Sequence, residues 1–256
     1  MANSYSQISL ADTLPAIAAP RDLAPLWWLW LPPLLLIVQL GVYMLDRPAY
    51  ERWIDGELGL VELGTFAALL PGIALGILIL LRRRVLPEPR LYLWVLLVTW
   101  GCFYFAGEEA SWGQHLLGWE TPEPVQDIND QQETNLHNVS SWFDQKPRLL
   151  LELWVVIGGL IIPIRNARRG IAYAPTDWRY WFWPTRVLVL PAALVVIAKL
   201  PEYLQDWFGI PRPPPLDIRV SETQEYYFGL YLTLYLASIY VRLRDWQVIA
   251  GDRSQG

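Results

Sequence analysis

The chain has 256 residues, 54% of them hydrophobic and 18% charged, with a formal net charge of −5. Soluble domains carry about 25% charged residues, so this composition excludes an ordinary soluble domain, and the acidic balance offers nothing to nucleic acid. The single cysteine, Cys102, excludes a disulfide framework and a cysteine-based zinc site.

Residues 1–25 read as a polar tail without the basic n-region of a cleavable signal peptide. Residues 26–245 follow as one transmembrane bundle, and residues 246–256 form a second tail. An α-helix needs roughly 20 mostly apolar residues to cross the hydrocarbon. Runs of that kind predict six spans, near 26–45, 60–81, 90–107, 149–165, 185–204 and 225–242. The fold class is therefore all-α, a polytopic helix bundle. Pro32, Pro33, Pro71 and Pro191 lie inside spans, where neighbouring helices can satisfy the freed backbone groups. The aromatic stretch 177–184, DWRYWFWP, predicts a simple aromatic anchor ahead of span five in preference to an interfacial segment lying on the cytoplasmic surface.

With six spans both termini share a side. Arg21, Arg82, Arg83, Arg84, Arg90, Arg165, Arg168, Arg169, Arg179, Arg186, Arg242, Arg244 and Arg253 all fall there, 13 of the 20 basic residues. Basic residues accumulate in cytoplasmic loops. Both termini are thus expected in the cytoplasm of a bacterial cell, with the protein in the inner (plasma) membrane and its acidic face outside.

The most informative segment is the loop 107–147 between spans three and four, expected to be structured and extracytoplasmic. It contains both histidines, His115 and His137, with Glu108, Glu109, Glu120, Glu123, Asp127, Asp130, Glu133 and Asp144. Loops this long are uncommon unless functional or disordered, and its tryptophans argue against disorder. Glu133 and His137 are spaced i, i+4 and would share a helix face. A carboxylate and an imidazole so placed can bind a divalent metal or act as an acid–base pair.

Acids recur at the same level. Glu62, Glu152 and Glu222 open spans, where the helix dipole favours them, and Ser221 with Gln224 fits a capping box. Glu225 lies slightly inside span six and should face the bundle interior. Glu108 and Glu109 have no such explanation, because they end span three, where the dipole disfavours anions. A metal, a proton or a base such as Lys199, Arg212 or Arg219 should compensate them. The candidate catalytic set is Glu108, Glu109, Glu133 and His137. Candidate substrate-binding residues are Glu62, Gln114, Asn135, Asn138, Glu222 and Glu225. A divalent metal, if one is held, would fall to Glu109, Glu133 and His137.

The stretch 105–138 carries Glu108, Glu109, Ser111, Trp112, Gly113, Gln114, then Gly118, Trp119, Thr121, Pro122, Glu123, then Ile128, Asn129, Gln131, Glu133, Asn135, Leu136, His137, Asn138. This pattern, EExSWGQ…TPE…INxQxExNLHN, resembles an uncharacterised family of bacterial multi-span membrane proteins. An acid early in a preceding span (Glu62) and the Glu-x-x-Glu of Glu222 and Glu225 extend the resemblance loosely over residues 55–240. Asp130 and His115 depart from it, at positions where the family is expected to carry a small or apolar residue and a basic one. The resemblance implies a site and names no reaction.

Three functions fit these residues. One is a metal-assisted hydrolase or transferase acting on a lipid-like substrate at headgroup depth. Another is a ligand-binding or assembly subunit of a larger membrane complex. The third, a transporter, is disfavoured because ionisable residues near mid-membrane are few and no Gly/Pro-broken pair of repeats is visible.

Overall fold

The computed structural model describes residues 22–54, 59–83, 86, 88–122 and 141–253. Among these no strand occurs. A π turn, Leu26–Trp30, runs into α1 (Leu31–Leu45), followed by the short α2 (Arg47–Trp53). The helices α3 (Leu60–Leu81) and α4 (Pro89–Glu109) come next, then the single turn α5 (Gln114–Leu117). A π segment, Val155–Ile161, joins α6 (Ser141–Trp154) to α7 (Ile162–Arg169). The chain closes with α8 (Trp178–Phe182), α9 (Val189–Phe208) and α10 (Val220–Arg253).

Among the described residues five stretches are long and apolar enough to cross a bilayer: Leu26–Leu45, Leu60–Leu81, Pro89–Glu109, Lys146–Arg169 and Trp178–Phe208. The helix expected as span six, α10, is not among them, because tyrosines, threonines and charges interrupt its apolar sequence. Its placement explains that composition. Tyr227, Phe228, Tyr231, Tyr235, Leu236 and Ile239 are almost fully buried, and α10 forms the core against α3, α9 and α4. The outer helices carry the apolar surface instead, with Leu70, Ile77, Leu93 and Leu97 exposed.

Small residues let these helices approach. A Cβ on Gly72 would strike the Thr233 side chain, and one on Gly76 would strike Thr99. Close approach through glycine is how apolar helices pack when no hydrophobic effect separates them from lipid. Side chains of α10 also bond the backbone of its neighbours near their prolines: the Tyr227 hydroxyl donates to the Pro32 carbonyl at 2.9 Å, and Thr233 donates to the Ala68 carbonyl at 2.6 Å.

The stretch 177–184 forms α8, capped by Asp177, whose side chain accepts from the Arg179 N–H at 2.9 Å. It is anchored from beneath. Arg242 is buried on α10, donates to the Tyr180 carbonyl and lies 4.9 Å from the Tyr180 ring. At the other end of the bundle, Tyr43 donates to Asp217 and Arg47 lies against both.

Candidate functional site

Helix α4 ends on Glu109, and the chain then reverses at once. Ser111, Trp112 and Gly113 all adopt positive φ, at 43°, 53° and 90°. A left-handed conformation costs a non-glycine residue roughly 1–2 kcal/mol, so Ser111 and Trp112 need compensation. It comes from Trp112, which donates its indole N–H to Glu108 Oε1 at 2.8 Å. Its ring lies where a side chain on residue 107 would stand, since a Cβ on Gly107 would be 2.8 Å from the indole. Glycine at 107, tryptophan at 112 and glutamate at 108 therefore form one unit that turns the chain and buries Glu108, which is 4% exposed.

On the neighbouring helices, Glu62 lies in the first turn of α3 and Glu222 in the first turn of α10. Glu109, Glu222 and Glu225 converge, each offering a carboxylate oxygen within 4.8 Å of the others. The charges of Glu222, Glu62, Arg148 and Glu108 all act on Glu109. Two arginines enter the group. Arg148 is ion-paired with Glu225. Arg219 reaches Glu222 at 3.0 Å and Glu62 at 3.4 Å.

Below the carboxylates lies a cavity of about 460 Å³ between α4, α6 and α10. Glu108, Glu109, Arg148 and Glu225 line its polar end, and Leu97, Val98, Gly101, Phe105, Leu151 and Phe228 line its body. Trp94 and Trp154 also line it, packed edge to face with ring centroids 4.8 Å apart. Trp94 is held by its indole N–H, which donates to the Tyr235 hydroxyl at 2.7 Å. Leu97 and Leu150 belong to the wall yet are 59% and 69% exposed, so the cavity opens sideways on the outer surface of the bundle between α4 and α6.

Comparison with family models, with curated proteins and with solved structures finds no match for this chain. The site therefore has to be read from its own chemistry. An apolar chamber of this size with a few convergent polar groups is the usual form of a small-molecule site. Acids clustered at one end can hold a cation, or exchange a proton with whatever is seated there.

Glu62, Glu108, Glu109, Glu222 and Glu225 meet at one end of the bundle. Glu133, Asn135, His137 and Asn138 lie outside the described residues, as does the side chain of His115. Gln114 opens α5 and is not among the described residues that line the cavity. Several expectations change. The capping box does not form: α10 starts at Val220, and Ser221 instead accepts from Lys199 at 2.5 Å and donates to Glu202 at 3.4 Å. Glu152 does not open its helix, which begins earlier at Ser141, and accepts from Tyr203 at 2.6 Å. Of the three bases expected to compensate Glu108 and Glu109, Arg219 joins the cluster through Glu62 and Glu222. Lys199 pairs with Glu202 at 2.7 Å, and Arg212 donates to Gln205 at 2.5 Å.

Arg148 is the residue that sequence reasoning passed over. The helix dipole gave no signal for it, because its helix begins at Ser141 and Arg148 lies two turns inside, with Lys146 only two residues before it. The cavity had no signal either, because leucines and tryptophans that face a void look like those that face lipid.

Proposed function

We propose that this is a six-span protein of the bacterial inner membrane, with both termini cytoplasmic, whose outer-face site takes a lipid-like amphiphile from the bilayer and acts on its head group. The observation that carries the reading is the cavity itself. Its body is apolar and opens on the apolar outer surface of the bundle beside Leu97 and Leu150, and its charged groups stand together at one end. A tail would occupy the chamber below Gly101 and Phe105, and a head group would meet Glu109, Arg148 and Glu225. Counting α10 as the sixth span accounts for a helix about 51 Å long at 1.5 Å per residue, shielded from lipid by its neighbours. The resemblance carried by residues 105–138 supports a bacterial membrane protein with its site at this loop, where Glu133, Asn135, His137 and Asn138 would join the carboxylates.

The chemistry proposed is acid–base work on the head group, with Glu108 and Glu109 as the groups that accept or donate the proton. A second version is favoured by the close approach of Glu109, Glu222 and Glu225: a divalent cation held there would polarise the substrate or activate a water.

Purification in mild detergent followed by lipid extraction and mass spectrometry tests the main reading. The expected result is a specific amphiphile at near-equimolar yield that is absent from a Gly101→Phe variant. A Cβ on Gly101 meets nothing within 4 Å, so the larger side chain enters open space in the cavity without displacing the fold. Equal lipid content in the two proteins overturns the reading. Elemental analysis tests the metal version, which predicts one divalent ion per chain, reduced in Glu109→Gln.

A further inference from the structure

We infer that the head group recognised at the mouth of this cavity is cationic, a primary amine on a single-chain amphiphile, and that it arrives sideways from the bilayer between α4 and α6. The inference rests on the reading that the cavity holds a lipid-like ligand, and it adds the chemical class of the head.

The charges decide it. Glu108, Glu109 and Glu225 line the mouth, Glu222 stands beside Glu109 and Glu225, and Arg148 is the only described base in the wall, already paired with Glu225. Arg219 is divided between Glu62 and Glu222. The sequence contains no Lys or Arg from residue 91 to residue 145, and Lys146, which follows, is exposed and is not among the described residues that line the cavity. A phosphate or carboxylate head would therefore enter a field of its own sign, at a depth where like charges repel far more than in water. An ammonium has three N–H donors and no acceptor. Glu109, Glu222 and Glu225 present three acceptors within 4.8 Å of one another, which suits that geometry. Charge-assisted bonds of this kind are about twice as strong as neutral ones.

The aromatic wall agrees with a cation at the rim. Tyr104 lines the cavity in the turn of α4 just before Glu108, and aromatic faces attract ammonium groups. Leu97 and Leu150 at the lateral opening are apolar and exposed, so the tail can follow the head without crossing a polar barrier.

The test uses the full chain in phosphatidylcholine nanodiscs containing EDTA, with dodecylamine and dodecyl phosphate as probes and calorimetry as the readout. The amine should bind at least tenfold tighter than the phosphate, Glu109→Gln should weaken the amine tenfold or more, and Gly101→Phe should abolish binding of the amine. Equal or tighter binding of the phosphate in EDTA overturns the inference. Phosphate binding that appears only on adding magnesium also overturns it, in favour of a metal-bridged anionic head, and leaves the cavity reading standing. If neither probe binds under any condition, the cavity reading fails as well.

Discussion

Trp112 donates to Glu108 at 2.8 Å across a turn whose residues are all left-handed, and the same indole fills the space beside Gly107. Position, orientation and burial of one carboxylate at the mouth of the cavity thus depend on a glycine one residue before it. Gly107→Ala should push the indole away by crowding it. The expected cost is about 1–3 kcal/mol, the range for overpacking a tight site, read as a lower unfolding midpoint in detergent. Trp112→Phe should spare the turn's packing but leave buried Glu108 without that donor, and should lower amphiphile retention more than stability.

The ion pair between Arg148 and Glu225 should couple strongly, because both side chains are mostly shielded. Removing one partner takes the opposite charge away from the other in a mostly shielded setting. Arg148→Gln and Glu225→Gln should each destabilise, while the double variant costs less than their sum. A coupling of about 0.5–3 kcal/mol is the range for residues in one network. Additivity within experimental error would show that the pair holds nothing together.

Acid should loosen the end of the bundle where α2 meets the segment before α10. The Tyr43 hydroxyl that donates to Asp217 holds its carboxyl below the usual carboxylate range, and Arg47 adds to this. The folded value lies below the unfolded one, which is about 3.9. The contact therefore contributes stability that is fully present above the unfolded value and is lost as pH falls through the folded one. In Tyr43→Phe the acid limb of the stability profile should move to higher pH. An unchanged limb would assign the acid response to other groups.

Gly76→Ala should weaken the packing of α3 on α4, because the added methyl meets the Thr99 side chain. Thr99→Ala in the same protein should restore part of the loss, since it removes Oγ1 and Cγ2, the two nearest atoms, and keeps only Cβ at 2.9 Å. Thermal unfolding of the four proteins in the cycle checks this.

How much of this was legible beforehand differs by residue. The apolar runs located α1, α3, α4 and α9 because bilayer thickness fixes their length. Glu108 and Glu109 stood out because their helix end is electrostatically wrong for them, whereas Arg148 lies two turns inside a helix that begins at Ser141 and gave no such signal. Ser221 and Gln224 misled because a capping pattern depends on where the helix starts, and α10 starts at Val220, so Ser221 already lies inside the first turn. The lateral opening could not be read at all. Leu97 and Leu150 differ from lipid-facing leucines only in what lies behind them.

The burial of α10 bears on the integrity of the site. Taken as the sixth span, this helix carries Tyr227, Tyr231 and Tyr235 on faces that only other helices can accommodate. Those tyrosines are packed by α3, α9 and α4 rather than by lipid. Glu222 and Glu225 ride on its first two turns. The carboxylate cluster consequently requires α10 to be docked on its neighbours, and a chain in which that helix is displaced does not present it.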